Sequence, residues 1–477
     1  MQADRPILFV SIYYEVLKTY IPIIQHLKKK GHKIYLLAKH YPNKKDREKT
    51  QKALKELDVP GTTLESFELV DQSSWRTGQS LTNRWYRLTD TFLKGVHVSW
   101  KAQKTARATL KRINPKIIVL GSDGRTLERY LVEEADKKGI PSICFQWALT
   151  AISEKAITEG KTRNLLSRKK CFTEKFSDLL YNYLSFFVFK FNSLLSRLLG
   201  LRIKPKVKLE RKFAVFGQGN ATALALIGKG SYDFHLKMGT PKSKLFITGH
   251  PLYEETFVLA SKGLHKTEEG LQKAHHAIKI PLNGEFILWA NNDSKKQYTR
   301  FYSHNQMLTS WKHKIKCLLE SDSHTYIVFK LHPAWNDYEE FKELGQISER
   351  VRIVKDINLE ELLPYASILL VRHSMSAIFG LLYSIPVISF NYPPLPVGRL
   401  FKDIGGTIHV DDNIQLKEVV DKILQKDRGI LERVKEEQRR FLSYHLNLNV
   451  DSLEHNKDKE LQSFINFHKL IKQLTND

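Results

Sequence analysis

The chain has 477 residues, 42% of them hydrophobic and 27% charged, which is ordinary for a folded globular protein but too long for one small core. Its net charge of +25 is not ordinary and points to polyanionic partners: nucleic acid, an acidic membrane surface or phosphorylated substrates. Cys144, Cys171 and Cys317 lie far apart without CxxC spacing, which excludes a disulfide framework and a zinc site and fits a reducing compartment.

In chain order, a strand is expected at 7–12, directly at the N-terminus and with no signal-peptide-like stretch before it, so a cytosolic location is expected. A helix at 21–30, closed by Gly31, and a strand at 33–38 follow. The pattern then predicts a short strand near 67–70, a helix at 90–112, a strand at 117–120 running into Gly121-Ser-Asp123-Gly124, a helix at 128–138 and a strand at 141–146. It resumes with a strand at 213–216, a helix from Ala221 and a strand at 245–248. Such strand–helix alternation argues for a parallel, doubly wound sheet.

A second series of strands is expected at 285–290, 325–331, 351–354, 368–371 and 387–390. The chain thus reads as α/β with two Rossmann-like domains facing across a cleft. The first spans 1–256, a polar linker 257–283, the second 284–425, and charged helices at 426–477 pack back across both.

Between Lys161 and Lys212 the alternation breaks. This stretch carries 14 Lys/Arg against three Asp/Glu, so it supplies +11 of the +25. Leu180, Leu184, Phe187, Val188, Phe191, Leu195 and Leu198 fall at helical spacing, with Asp178, Asn182, Ser185, Asn192 and Ser196 on the other face. Lys190 and Arg197 make it a poor membrane span. A greasy face flanked by Lys169 and its basic neighbours suits the surface of an anionic bilayer, with Leu184, Phe187, Phe191, Lys169, Lys190 and Arg197 as contacts; a helical hairpin docked on the body is the alternative. Zinc-finger spacing, RNP-type aromatics and a helix-turn-helix are missing from the sequence, so nucleic acid is not an expected partner.

The chemistry-bearing residues sit where apolar runs stop. In open α/β sheets ligands bind beyond the carboxyl ends of the strands, and N–H groups at a following helix start suit a phosphate. Lys330-Leu-His332-Pro333 ends one strand; His332 there would donate to a phosphate or act as an acid, or is a satisfied strand-end histidine. Arg372-His373-Ser374-Met-Ser376 ends another, its hydroxyls holding a phosphate or simply capping a helix. Asn291, Asn292 and Ser294 follow the first strand of the second domain, as donor contacts or an ordinary turn. In the first domain Asp123, followed by Gly124, is the candidate general base, with helix capping as the alternative. Gly217 belongs to a Gly-Gln-Gly run that lacks GxGxxG or a Walker lysine, and His250 faces the cleft or marks a hinge.

At these residues the chain resembles the GT-B superfamily, in the branch of capsule-polysaccharide transferases, polysialyltransferases, CDP-glycerol glycerophosphotransferases and UDP-N-acetylglucosamine 2-epimerases. The resemblance rests on the opening strand–helix–strand around Pro22 to Tyr35, on Phe246-Ile-Thr-Gly-His-Pro251, on His332-Pro333 and on the block from Leu363 to Ile388. It implies two Rossmann-like domains, a nucleotide-activated donor held mainly by the second, and no cofactor or obligatory metal. It assigns His332 and Ser374 to the donor phosphates and Asp123 to the base. The implied activity is a glycosyltransferase using a CMP- or UDP-sugar to extend a cell-surface glycan such as a capsule, or a lipid-linked acceptor, peripherally at the inner membrane face. A polyol-phosphate transferase, an epimerase and a degenerate membrane-associated scaffold are the alternatives. Two departures stand out. Phe379 occupies the position of the family's ribose-binding glutamate, and Phe145-Gln146-Trp147-Ala148 stands where the epimerases have the H-x-E-A-G pattern with their catalytic glutamate.

Overall fold

A computed structural model describes residues 5–12, 14–39, 48, 51, 55, 62–67, 100–123, 126–149, 217, 219–293, 298–299, 301–332, 338–372, 374–395, 400–448 and 460–476. The insertion at 161–212, with Leu184, Phe187, Phe191, Lys169, Lys190 and Arg197, lies outside the described residues, as do Gly124, Ser294, Pro333 and His373.

The first lobe runs β1 (Ile7–Ser11), α1 (Tyr14–Lys29), β2 (Ile34–Lys39), β3 (Thr62–Phe67), α2 (100–113), β4 (Ile117–Leu120), α3 (Thr126–Asp136), β5 (Ser142–Phe145), β6 (Ala223–Leu226), α4 (Lys229–Lys237) and β7 (Leu245–Ile247). Its seven strands are parallel in the order β3-β2-β1-β4-β5-β6-β7. Strands β1 and β4 are wholly buried because helices cover both faces, as near-continuous apolar runs require.

Helices α5 (Pro251–Ser261) and α6 (Glu268–Ile278) cross to the second lobe. There β8 (Phe286–Asn291), α7 (His304–Leu319), β9 (Tyr326–Leu331), β10 (Val351–Val354), α8 (Leu359–Leu362), β11 (Ile368–Val371), α9 (Ser376–Leu382), β12 (Val387–Phe390), α10 (Leu400–Ile404), β13 (Ile408–Val410) and α11 (Asn413–Leu424) follow. The six parallel strands run β10-β9-β8-β11-β12-β13. Both sheets therefore reverse their strand order once, between β1 and β4 and between β8 and β11, as in a doubly wound fold. Helices α12 (Arg428–Leu446) and α13 (Gln462–Thr475) return toward the first lobe: α12 meets α4, and α13 lies against α1 and β4.

Three expectations fail locally, one of them the short strand expected near 67–70, which lies earlier in the chain as β3 at Thr62–Phe67. The helix expected from Ala221 is instead β6, because Ala-Leu-Ala-Leu is buried on both sides between β5 and β7. Tertiary burial overrides alanine's helix preference, and a short apolar run carries no period that tells the two apart. Helix α1 starts at Tyr14 rather than Ile21, with Pro22 inside it. Burial of Val16, Leu17 and Tyr20 in the first lobe's core offsets the proline's missing N–H.

The lobes share apolar packing. Leu149 and Ile227 of the first lobe join Tyr253 and Phe257 of the crossover helix and Leu288, Leu369 and Ile378 of the second in one buried cluster. An exposed ion pair, Lys18 to Glu360 at 2.9 Å, also spans them.

Candidate functional site

Three neighbouring strands of the second sheet, β9, β8 and β11, carry the polar residues beyond their carboxyl ends. At the last residue of β8, the Asn291 side-chain oxygen accepts from the Asp293 N–H at 3.4 Å. Asp293 forms a buried ion pair with Arg372, which follows β11, at 2.9 Å. The guanidinium also donates to Asn391 Oδ1 at 3.3 Å and to the Pro393 carbonyl at 2.8 Å. Its charge centre lies 5.0 Å from the Phe390 ring centroid. Arg372 is thus 2% exposed and braces the switch point from within. Its Nη2, together with Asn291 Nδ2, has no hydrogen-bond partner among the described residues.

Lys330 is likewise turned inward, donating to the carbonyls of Leu331 at 2.7 Å and Lys355 at 2.8 Å, which staples β9 to the end of β10. His332, half-buried, sits two residues on. Burial first, and the Lys330 charge second, push its pKa down to about 4, so near neutral pH it is an uncharged imidazole. It can offer an N–H to an anion but has no extra proton to give.

The hydroxyls of the following turn are organised among themselves. Ser376 Oγ lies 2.6 Å from Ser374 Oγ, which also accepts the Ser376 N–H at 3.3 Å. Ser374 therefore serves the start of α9 while remaining half-buried rather than enclosed. Farther along that helix, Phe379 meets the ring of Tyr253 edge-on, 5.8 Å between centroids.

In the first lobe Asp123 is 3% exposed and accepts the N–H groups of Gly217 at 2.9 Å and Gly219 at 2.7 Å, one on each carboxylate oxygen. A Cβ at Gly219 would stand 2.6 Å from Asp123 Oδ2, so this approach needs glycine. Burial raises the carboxyl's pKa, and the two N–H bonds pull it back only in part. His250 caps α5: its Nδ1 accepts from the Tyr253 N–H at 3.4 Å, which leaves the proton on Nε2 to donate to the Trp147 carbonyl at 3.3 Å. It is 1% exposed and stacked on Tyr253 at 4.0 Å, and burial pushes its pKa down to about 3. His250 therefore pins the crossover helix rather than facing open solvent.

Asn291, Lys330, His332, Arg372, Ser374 and Ser376 thus gather around the β8–β11 reversal, with Asn292 half-buried in the β8 turn, while Asp123 and Gly217 form a separate clamp in the first lobe. Sequence reasoning missed Asp293, Asn391 and Lys314, which complete the Arg372 cluster. Only the position of Asp293, directly after Asn291-Asn292, could have flagged it. Among the described residues no group of three or more His, Cys, Asp or Glu is placed to hold a metal, and no helix is long and apolar enough to cross a membrane.

No protein-family profile and no curated protein matches the sequence. Solved structures do share the fold. A putative UDP-N-acetylglucosamine 2-epimerase from Listeria monocytogenes is similar with a TM-score of 0.53 at 10% identity, covering 91% of each chain. The UDP-GlcNAc 2-epimerase from Methanocaldococcus jannaschii gives 0.53 at 14% identity, over 92% of this chain and 99% of that one. The Neisseria meningitidis enzyme, bound to UDP-GlcNAc, gives 0.52 at 12% identity, over 99% and 100%. At such identities the likeness establishes the two-lobed, GT-B-like architecture and nothing finer.

Proposed function

We propose that the protein is a GT-B-type transferase that moves a sugar from a CMP- or UDP-activated donor to a cell-surface glycan or lipid-linked acceptor, without a metal, at the inner face of a membrane. The observation that carries this reading is the gathering of Asn291, His332, Arg372 and Ser374 beyond three adjacent strand ends at the switch point of the second sheet. There the donor phosphates would lie against the neutral imidazole of His332 and the Ser374 hydroxyl. Arg372 and Lys330, tied inward, supply positive field rather than direct contact. The acceptor oxygen attacks the anomeric carbon, the bond to the phosphate oxygen breaks, and the acceptor's proton passes to a base. Asp123 is the candidate base; burial makes its carboxylate a better proton acceptor, and the role requires Gly219 N–H to release Oδ2. The basic stretch 161–212 is the proposed membrane contact.

Sugar epimerisation is the second reading, favoured by the fold shared with epimerases. The Phe145-Gln146-Trp147-Ala148 stretch weighs against it, because it holds no carboxylate where the epimerase pattern has one to shuttle a proton. Gln146 is instead 2% exposed, its side-chain oxygen accepting the Ile227 N–H at 3.0 Å.

Calorimetry against CMP, CDP, UDP and GDP tests the proposal. Binding of CMP or UDP is expected, with donor turnover about 100-fold lower in His332→Ala and in Asp123→Asn. No binding by any nucleotide overturns the reading. Free epimerised sugar released without an acceptor would favour the second one.

A further inference from the structure

Helix α13 is a brace between the first lobe and the crossover. Phe467, Leu470 and Ile471 are buried in the first lobe's core, the Phe467 ring meeting Phe145 edge-on at 5.6 Å. Its first-turn N–H groups, from Gln462 and Ser463, are taken by the two carboxylate oxygens of Glu254 on α5, at 2.9 and 2.8 Å. That arrangement satisfies donors a helix start leaves orphaned.

Where α13 meets α1 and the turn into β2, three histidines converge. His32 Nε2 and His468 Nε2 lie 3.0 Å apart, with ring centroids at 5.0 Å and planes nearly perpendicular. The centroid separation fits rings meeting nearly head-on. Two nitrogens so placed share one proton as N–H···N; a second proton would set two N–H groups against each other. His26, 8% exposed, stacks on Phe464 at 4.7 Å, its Nδ1 3.2 Å from a Glu460 carboxylate oxygen. The charges facing the cluster are Lys29 and Lys30 from α1, Lys472 from α13, Glu460 just before α13, and Glu254 from α5 at the helix start. Glu460 is already shared with Lys30 at 3.1 Å. Among the described residues, cations outnumber acids here before any imidazole is charged.

We propose that this cluster is a proton-operated clasp: neutral imidazoles hold α13 against the first lobe and the crossover helix, and charging the His32–His468 pair and His26 releases it. Burial lowers the proton affinity of His26 and His468, so the released helix binds protons more tightly than the docked one. Docking is therefore strongest above the ordinary histidine value of about 6.5 and is lost progressively as pH falls below it. Release would also strip both N–H groups from Glu254, leaving that 9%-exposed carboxylate without its partners on the helix that joins the lobes. Acidification would thus loosen the coupling between the lobes. The clasp does not depend on which reaction the cleft performs.

Hydrogen–deuterium exchange on the full chain at pH 7.5, 6.5 and 5.5, corrected for intrinsic exchange, tests it. Amides at 462–475 should lose protection about tenfold or more by pH 5.5, while those of β8, at 286–291, keep theirs. A chain carrying His26→Gln and His468→Gln should show a flattened response. Level protection at 462–475 in the wild type, or equal loss in β8, overturns the proposal even if the variant does not fold. So does an undiminished response in a folded variant.

Discussion

Lys314 is one basic residue among 76 in the sequence, yet it is 1% exposed. Its Nζ donates to Ser310 Oγ at 2.7 Å and lies 4.0 Å from the Tyr392 ring centroid, while Asp293 pairs with Arg372. Burial, and then the Arg372 charge, push its pKa down to about 6. An unfolded chain would carry an ordinary lysine near 10.5, so between roughly 6 and 10.5 the native state binds fewer protons. Stability from this group therefore rises with pH through that window and is at its lowest below about 6. Lys314→Met should be more stable at pH 7 by about 1 kcal/mol, and its advantage in urea titrations should shrink as pH rises toward 9. A constant gap would mean that the native amine stays charged. Nothing in the sequence distinguishes this lysine, because its state is set by the partners that Arg372 has already taken. The same holds for Arg372 and Lys330: their places at strand ends were legible, their inward orientation was not.

Among elements, the strands with continuous apolar runs, such as β1, β4, β8 and β11, were legible because burial on both faces leaves a plain signature. Strand β6 was not, since four alternating alanines and leucines fit either period. That the C-terminal helices return to the lobes is an expectation of the sequence, but the seat of α12 on α4 was hidden, because it depends on close approach rather than on pattern. The Gly228 backbone, at the start of α4, faces the end of α12, and a Cβ there would lie 2.4 Å from the His445 carbonyl oxygen. Backbone cannot yield as a flexible side chain can. Gly228→Ala should cost about 3 kcal/mol, measured by chemical denaturation, and should speed exchange at 428–446 more than at 286–291. A neutral substitution would show that α12 is not seated on α4 as described.

For the whole molecule, the two-lobed plan follows from two runs of strand–helix units, but the way the lobes are held does not. The region expected to be a polar linker contributes Phe257, Ala274 and Ile278 to the shared apolar cluster, and the charged C-terminal stretch supplies core residues to the first lobe. Helix α13 reads as an ordinary amphipathic helix, its apolar face carrying Phe464, Phe467, Leu470, Ile471 and Leu474, and sequence does not say which distant surface that face covers. Its three buried core side chains at about 1.5–3 kcal/mol each imply that removing residues 460–477 costs the first lobe about 5 kcal/mol. Their contacts are with β5 and with the apolar face of α1, whereas the core of the second lobe around Trp289, Trp311 and Phe329 contains none of them. The truncated chain should therefore lose exchange protection in β4 and β5 first, with β8 and β11 holding theirs at the same denaturant concentration. Equal loss in the two sheets would mean that the shared cluster couples the lobes more strongly than α13 supports either one; no loss at all would mean that α13 is not part of the first lobe's core.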